Sequence, residues 1–196
     1  MDTDFDSFDP GRDPDAIAER VRRTAAAQTA PAFRSWLERG DAEMQTLFDS
    51  VPEIAVLENS RWGVEGLRAL ERHLRSRFAN VTELRGSPSG IYERFIGEVY
   101  RRSFDGEWRN FPDFARGGAE FWPVVELSYR PDHLDPHDLI TTGVRPGTRR
   151  NPLHPEGELA WVYENFARDH QWWIDAGRPS REEWDQVLMK RILGRE

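Results

Sequence analysis

Asp132, His133, Asp135, His137 and Asp138 stand within one seven-residue stretch. Two imidazoles and three hard carboxylates so close in sequence have the donor chemistry to converge on one divalent cation, or to pass a proton between them. The spacing resists the simplest version of that idea. Pro136 lies between the two histidines, so they cannot share a continuous helical face as the two ligands of an H-E-x-x-H helix do. The same letters also spell a turn at Pro131-Asp132, followed by a helix that Asp135 caps and Pro136 opens. An enzyme centred here, metal-dependent or acid-base, is the alternative expectation, with Asp132, His133, Asp135 and His137 as ligands or proton carriers.

The remaining chemistry-bearing residues are sparse. His170 falls within an apolar helical stripe, where a histidine most often serves as a hydrogen-bonded core residue. There is no cysteine, which excludes thiolate nucleophiles, disulfides and iron-sulfur clusters. Lys190 is the only lysine, so Schiff-base and phosphate-loop lysine chemistry have almost no place. No G-x-S-x-G elbow, G-x-G-x-x-G turn or Walker A run is present, and Gly117-Gly118 is an isolated loop pair. Arg145, Arg149 and Arg150 surround Pro146 and Gly147, which makes either a small oxyanion clamp or a solvated loop. No catalytic residue and no cofactor is expected from these patterns.

Composition sets the class. A hydrophobic share of 38% and a mean hydropathy of -0.75 are low, yet eight Trp, eleven Phe and four Tyr supply enough large side chains for a core. The net charge of -8 is concentrated: six Asp against Arg12 give residues 1–15 a charge of -5, which leaves -3 for the rest. A nearly balanced body lacks the basic excess that non-specific nucleic-acid binding needs. Without a basic-then-apolar leader or an eighteen-residue apolar run, neither membrane association nor export is expected, and the protein is read as soluble and cytoplasmic.

The elements that must position these residues follow from periodicity. Residues 1–12, where Asp2, Asp4, Asp6 and Asp9 interleave with Phe5 and Phe8, read as a flexible acidic tail. Residues 13–196 read as a single globular α+β domain, predominantly α-helical with a small antiparallel sheet of two to four strands. Asp13-Pro14 starts a helix. After Pro31, Phe33, Trp36, Leu37, Met44, Leu47, Phe48 and Val51 follow a 3.6 period, with a kink near Gly40-Asp41. A third long helix carries Leu67, Leu70, Leu74 and Phe78 and ends near Asn80. The strongest period runs through Ile91, Tyr92, Phe95, Ile96, Val99 and Tyr100, which predicts a helix at the centre of the fold that breaks at Asp105-Gly106.

Strands are expected over residues 107–111 and 121–129, with Phe121, Val125, Leu127 and Tyr129 on one face and Pro123 at an edge or bulge. Residues 130–155 are the most irregular region. From Glu156 a helix carries Leu159, Val162, Tyr163, Phe166, His170 and Trp173 until Gly177 and Pro179 stop it. The last helix opens with the capping box Ser180-x-x-Glu183 and is expected to bury Trp184, Val187 and Leu188. Since adjacent helical residues diverge by about 100°, a core Trp173 pushes Trp172 toward the rim, on the flank of Trp161.

The run Phe95-Ile96-Gly97-Glu98-Val99-Tyr100-Arg101-Arg102, then Gly106-x-Trp108 and a strand over residues 124–129, resembles small bacterial α+β proteins of the polymorphic-toxin immunity and domain-of-unknown-function type. The resemblance covers about 35 residues; it implies a helix-then-hairpin core and a protective or binding role, and brings no catalytic residues. Together these readings lead to a cytosolic protein-binding module, immunity-type or regulatory, that occludes a partner protein. Phe5, Phe8, Trp161, Trp172, Arg149 and Arg150 are its candidate contacts. The sequence leaves the oligomeric state open.

Overall fold

A computed structural model describes residues 14–87, 89–115, 119–144 and 157–192, with side chains described through residue 189. The fold is α+β and predominantly helical, with one small antiparallel sheet of three strands in the order β1-β2-β3. Where one domain was expected over residues 13–196, the chain contacts fall into two compact units, residues 1–38 with 110–123 and residues 39–109 with 124–196.

The smaller unit holds helices α1 (Pro14–Ala27) and α2 (Pro31–Glu38) and the segment that follows Asn110. Pro14 and Pro31 open these helices, where a missing N–H costs nothing. A side-chain amide ties the unit together. Gln28 donates from Nε2 to the Asn110 carbonyl (2.8 Å) and accepts the Asn110 N–H on Oε1 (2.9 Å), so it mimics a strand neighbour. The Asn110 side chain, almost fully buried, then donates to the Ala27 carbonyl and accepts from the Trp122 N–H. Phe33 stacks on Trp36, and both lie against Phe121.

The larger unit contains α3 (Gly40–Ser50), α4 (Pro52–Ala55), a 3-10 turn (Glu58–Trp62), α5 (Val64–Arg77), α6 (Val81–Arg85), α7 (Gly90–Ser103) and the strands. These are β1 (Glu107–Asn110), β2 (Pro123–Glu126) and β3 (His133–Leu134), whose β1 and β2 each lend one end residue to the smaller unit. Helices α8 (Pro136–Val144), α9 (Glu158–Asp175) and α10 (Arg181–Ile192) complete it. As the period predicts, α7 is central: Arg94, Phe95, Ile96, Gly97, Glu98, Val99 and Tyr100 are buried in succession, so the helix is covered on every side. Around it pack Leu67, Leu70 and Leu74 of α5, Met44 and Leu47 of α3, Leu159 and Trp173 of α9, and Trp184 of α10.

One charged residue inside this core, Arg94, has a specific accommodation. Arg94, 2% exposed, places Nε 2.7 Å from Glu43 Oε2, and Gly40 leaves the space its guanidinium occupies. Removing Glu43, whose own side chain is 30% exposed, would leave the buried Arg94 charge without this partner and destabilise the fold.

Three expectations need correcting. The second strand is only Pro123–Glu126, and Val124 and Val125 are both fully buried, so the two-residue alternation expected for a half-solvated strand is absent there. The segment read as irregular supplies β3, antiparallel to β2, with Val125 opposite Leu134 and Glu126 opposite His133. On α10, Trp184 is buried as expected, but Val187 is 40% exposed. The capping box itself forms, with the Ser180 N–H and hydroxyl donating to Glu183 Oε2 (2.9 and 2.8 Å).

Candidate functional site

The acid and histidine cluster of residues 132–138 is dispersed by its elements. Asp132 accepts from Arg130 Nε (3.0 Å), and the same guanidinium reaches Asp169 on α9 (2.9 Å) while lying 4.2 Å from the centre of the Phe166 ring. Partial burial works against the Asp132 charge, but the hydrogen bond and charge of Arg130 outweigh it and hold the carboxyl below its ordinary range. His133 is fixed in β3 opposite Glu126. Asp135 is the cap of α8, its Oδ1 accepting the N–H groups of His137 (2.9 Å) and Asp138 (3.4 Å). His137 turns its Nδ1 to Glu93 of α7, 3.3 Å away. Among the described residues no group of three or more His, Asp or Glu is placed to hold a metal ion.

The sequence motif on α7 resolves into one interlocked cluster. Gly97 has no side chain because the Trp108 ring lies across that point of the helix, where a Cβ would overlap the indole. Trp108 Nε1 donates to Glu98 Oε1 (2.7 Å), and Arg101 reaches both carboxylate oxygens (3.1 and 2.9 Å). Arg102 Nε donates to Glu98 Oε2 (2.9 Å). The guanidinium of Arg102 also rests on the Trp62 ring, 3.9 Å from its centre. Burial opposes the Glu98 charge, yet the hydrogen bonds from Arg101, Trp108 and Arg102 together lower its pKa to about 2. Such a carboxylate is a poor proton carrier near neutrality; its chemistry is that of an anchor.

Glu71 is a second buried acid with a structural post. From α5 it accepts the Glu158 and Leu159 N–H groups (both 3.1 Å) at the start of α9, and pairs with Arg75. Burial is the dominant influence and raises its pKa in spite of these partners. Gly157, at φ 107, is needed twice: an L residue resists that angle, and a Cβ would lie 2.5 Å from Glu71 Oε2.

The outward flank of α9 carries a row of large and polar side chains. Trp161, Asn165, Arg168 and Trp172 recur at intervals of four, three and four, which puts them on one stripe about 16 Å long. Asn165 Nδ2 donates to the Trp161 carbonyl (2.9 Å), and its Oδ1 accepts from Arg168 Nη2 (2.6 Å). Arg168 in turn lies 5.5 Å from the centre of the Trp172 ring. Trp161 is 44% exposed, whereas Trp172 is partly buried against the core. Both expected tryptophans therefore lie on one flank, joined by two residues, Asn165 and Arg168, that only their helical spacing from the tryptophans would have singled out. Trp173 is buried, as expected, and donates its indole N–H to the Pro179 carbonyl (2.9 Å). Phe5, Phe8, Arg149 and Arg150 lie outside the described residues.

No helix of the described residues is long and apolar enough to cross a membrane. Comparison of the chain with protein-family models, curated proteins and solved structures finds no match.

Proposed function

We propose that this chain is a protein-binding module of the immunity or regulatory kind, which occludes a partner protein in the cytoplasm and uses the outward flank of α9 as part of its contact face. The observation that carries this reading is the stripe of Trp161, Asn165, Arg168 and Trp172 and the hydrogen bonds that knit it. Trp and Arg are the side chains that most often anchor protein interfaces, and an arginine already held in place loses less freedom on docking. The immunity assignment rests on the resemblance of the α7 motif. Phe5, Phe8, Arg149 and Arg150 remain proposed contacts on composition alone.

The distribution of the acids supports binding over chemistry. Glu71, Glu98, Asp132 and Asp135 each hold a helix end, an arginine or a tryptophan in place. The near-balanced charge of the body favours a protein partner over nucleic acid or an anionic membrane.

The test is capture from native lysate with the full chain and with a Trp161→Ala, Arg168→Ala double variant. Both substitutions sit on a partly exposed flank, so melting temperature and far-UV circular dichroism are expected to stay as in the parent. A protein retained by the parent and lost by the variant supports the reading. Equal retention would remove α9 from the contact face, and a chain that retains no partner under any growth condition tried would overturn the function itself.

A further inference from the structure

Helices α7 and α9 both end in left-handed turns that close the same way. Gly106 N–H donates to the Arg101 carbonyl and Arg178 N–H to the Trp173 carbonyl, each at 2.9 Å. The residues in the left-handed region include Asp105 (φ 53) and Arg178 (φ 57), neither a glycine. Backbone strain of this kind is worth keeping where the side chains have a task.

Those side chains meet. Asp105 Oδ2 lies 3.3 Å from Arg178 Nη1 and 3.7 Å from Nε2 of His170. The His170 ring is 9% exposed and is boxed by Phe104 (5.4 Å between ring centres), Tyr129 (5.0 Å) and Trp173 (5.7 Å). Its Nε2 is buried with no hydrogen-bond partner among the described residues, since 3.7 Å is beyond hydrogen-bonding reach. One carboxylate oxygen thus stands before two nitrogens. Arg178 is charged at every accessible pH, whereas His170 is charged only after taking a proton.

We propose that His170, Asp105 and Arg178 form a proton-operated catch at the ends of α7 and α9. With the imidazole neutral, Asp105 belongs to Arg178. On protonation, Nε2 becomes a charged donor and closes on Asp105, while Arg178, now facing a cation, is expelled into solvent and the turn between α9 and α10 loosens. Among the described residues, the neighbouring titratable and charged groups are engaged elsewhere. Tyr129 donates its hydroxyl to the Phe166 carbonyl and is held protonated by burial, Arg130 and Asp169 satisfy each other, and Arg181 of α10 donates to the Leu127 carbonyl. Burial lowers the pKa of His170, with Asp105 pulling it up and Arg178 pushing it down, so the catch operates on the acid side of ordinary histidine titration.

The test is a pH titration of the full chain by NMR, following the His170 ring and the backbone amides. The Asp105, Gly106 and Arg178 amides are expected to shift with the midpoint of the ring, and exchange of the Arg178 amide with solvent to quicken below it. Asp105→Asn is expected to lower the midpoint and Arg178→Asn to raise it; asparagine tolerates the left-handed region, so both variants keep their turns. Amides of Asp105 and Arg178 that ignore the ring titration in the parent chain would overturn the proposal without any variant. So would a midpoint that neither substitution moves, or that only one moves, because the oxygen would then not be shared.

Discussion

Trp108 and Glu98 are joined by a hydrogen bond of 2.7 Å from indole to carboxylate, laid directly over Gly97. Four residues of the chain's strongest motif thus do one job. The glycine admits the ring, the glutamate receives it, and Arg101 and Arg102 fill the remaining acceptor positions of the carboxylate.

Acid stability follows from this saturation. The Glu98 carboxyl sits at about 2 in the folded chain against an ordinary 4.5, so between those values the unfolded chain binds more protons than the folded one. Its stabilising contribution is present above pH 4.5 and is lost as pH falls toward 2. The size is on the order of 3 kcal/mol. Urea unfolding of the parent and of Glu98→Gln at a series of pH values is expected to show the variant less stable near neutrality and with a shallower acid slope. Parallel slopes would show that the carboxylate is not held as described.

Gly97→Ala is expected to destabilise by about 1–3 kcal/mol, since the added methyl must displace a ring rather than a flexible chain end. The urea midpoint measures it. Combining it with Trp108→Ala removes the obstacle, so the double variant is expected to lose less than the two single losses together. Simple additivity would place the ring elsewhere.

Zinc, manganese or magnesium, each added in excess, is expected to leave the melting temperature unchanged, because Asp132, Asp135 and His137 are committed to Arg130, to the end of α8 and to Glu93. A folded-state metal site would raise it by mass action. A rise that His133→Ala erases would restore the metal-enzyme alternative.

What could be read from the residues was whatever is written locally. The halt at Asp105-Gly106, the stop at Gly177 and Pro179, and the Ser180 and Glu183 box are backbone and capping chemistry confined to a few positions, and the helices end where they say. The α+β class and the central α7 follow from apolar period alone. Contacts far apart in the chain were not legible. Nothing near Asp132 announces that Asp169 will share its arginine, and nothing near His137 announces Glu93. The two-residue β3 is too short to show alternation, and consecutive burial of Val124 and Val125 erases it in β2. On α9, the tryptophans were visible by type, whereas Asn165 and Arg168 have composition indistinguishable from any solvated face.

The pairing of Glu71 with the first amides of α9 has a consequence for assembly. An N-terminal cap is ordinarily drawn from the residue just ahead of the helix, and here it arrives from α5, 87 positions earlier in the chain. The first turn of α9 therefore cannot be completed by its own neighbourhood. Two of its amides rest on Glu71 of α5, which ties the start of the flank proposed for recognition to a side chain only 3% exposed, out of any partner's reach.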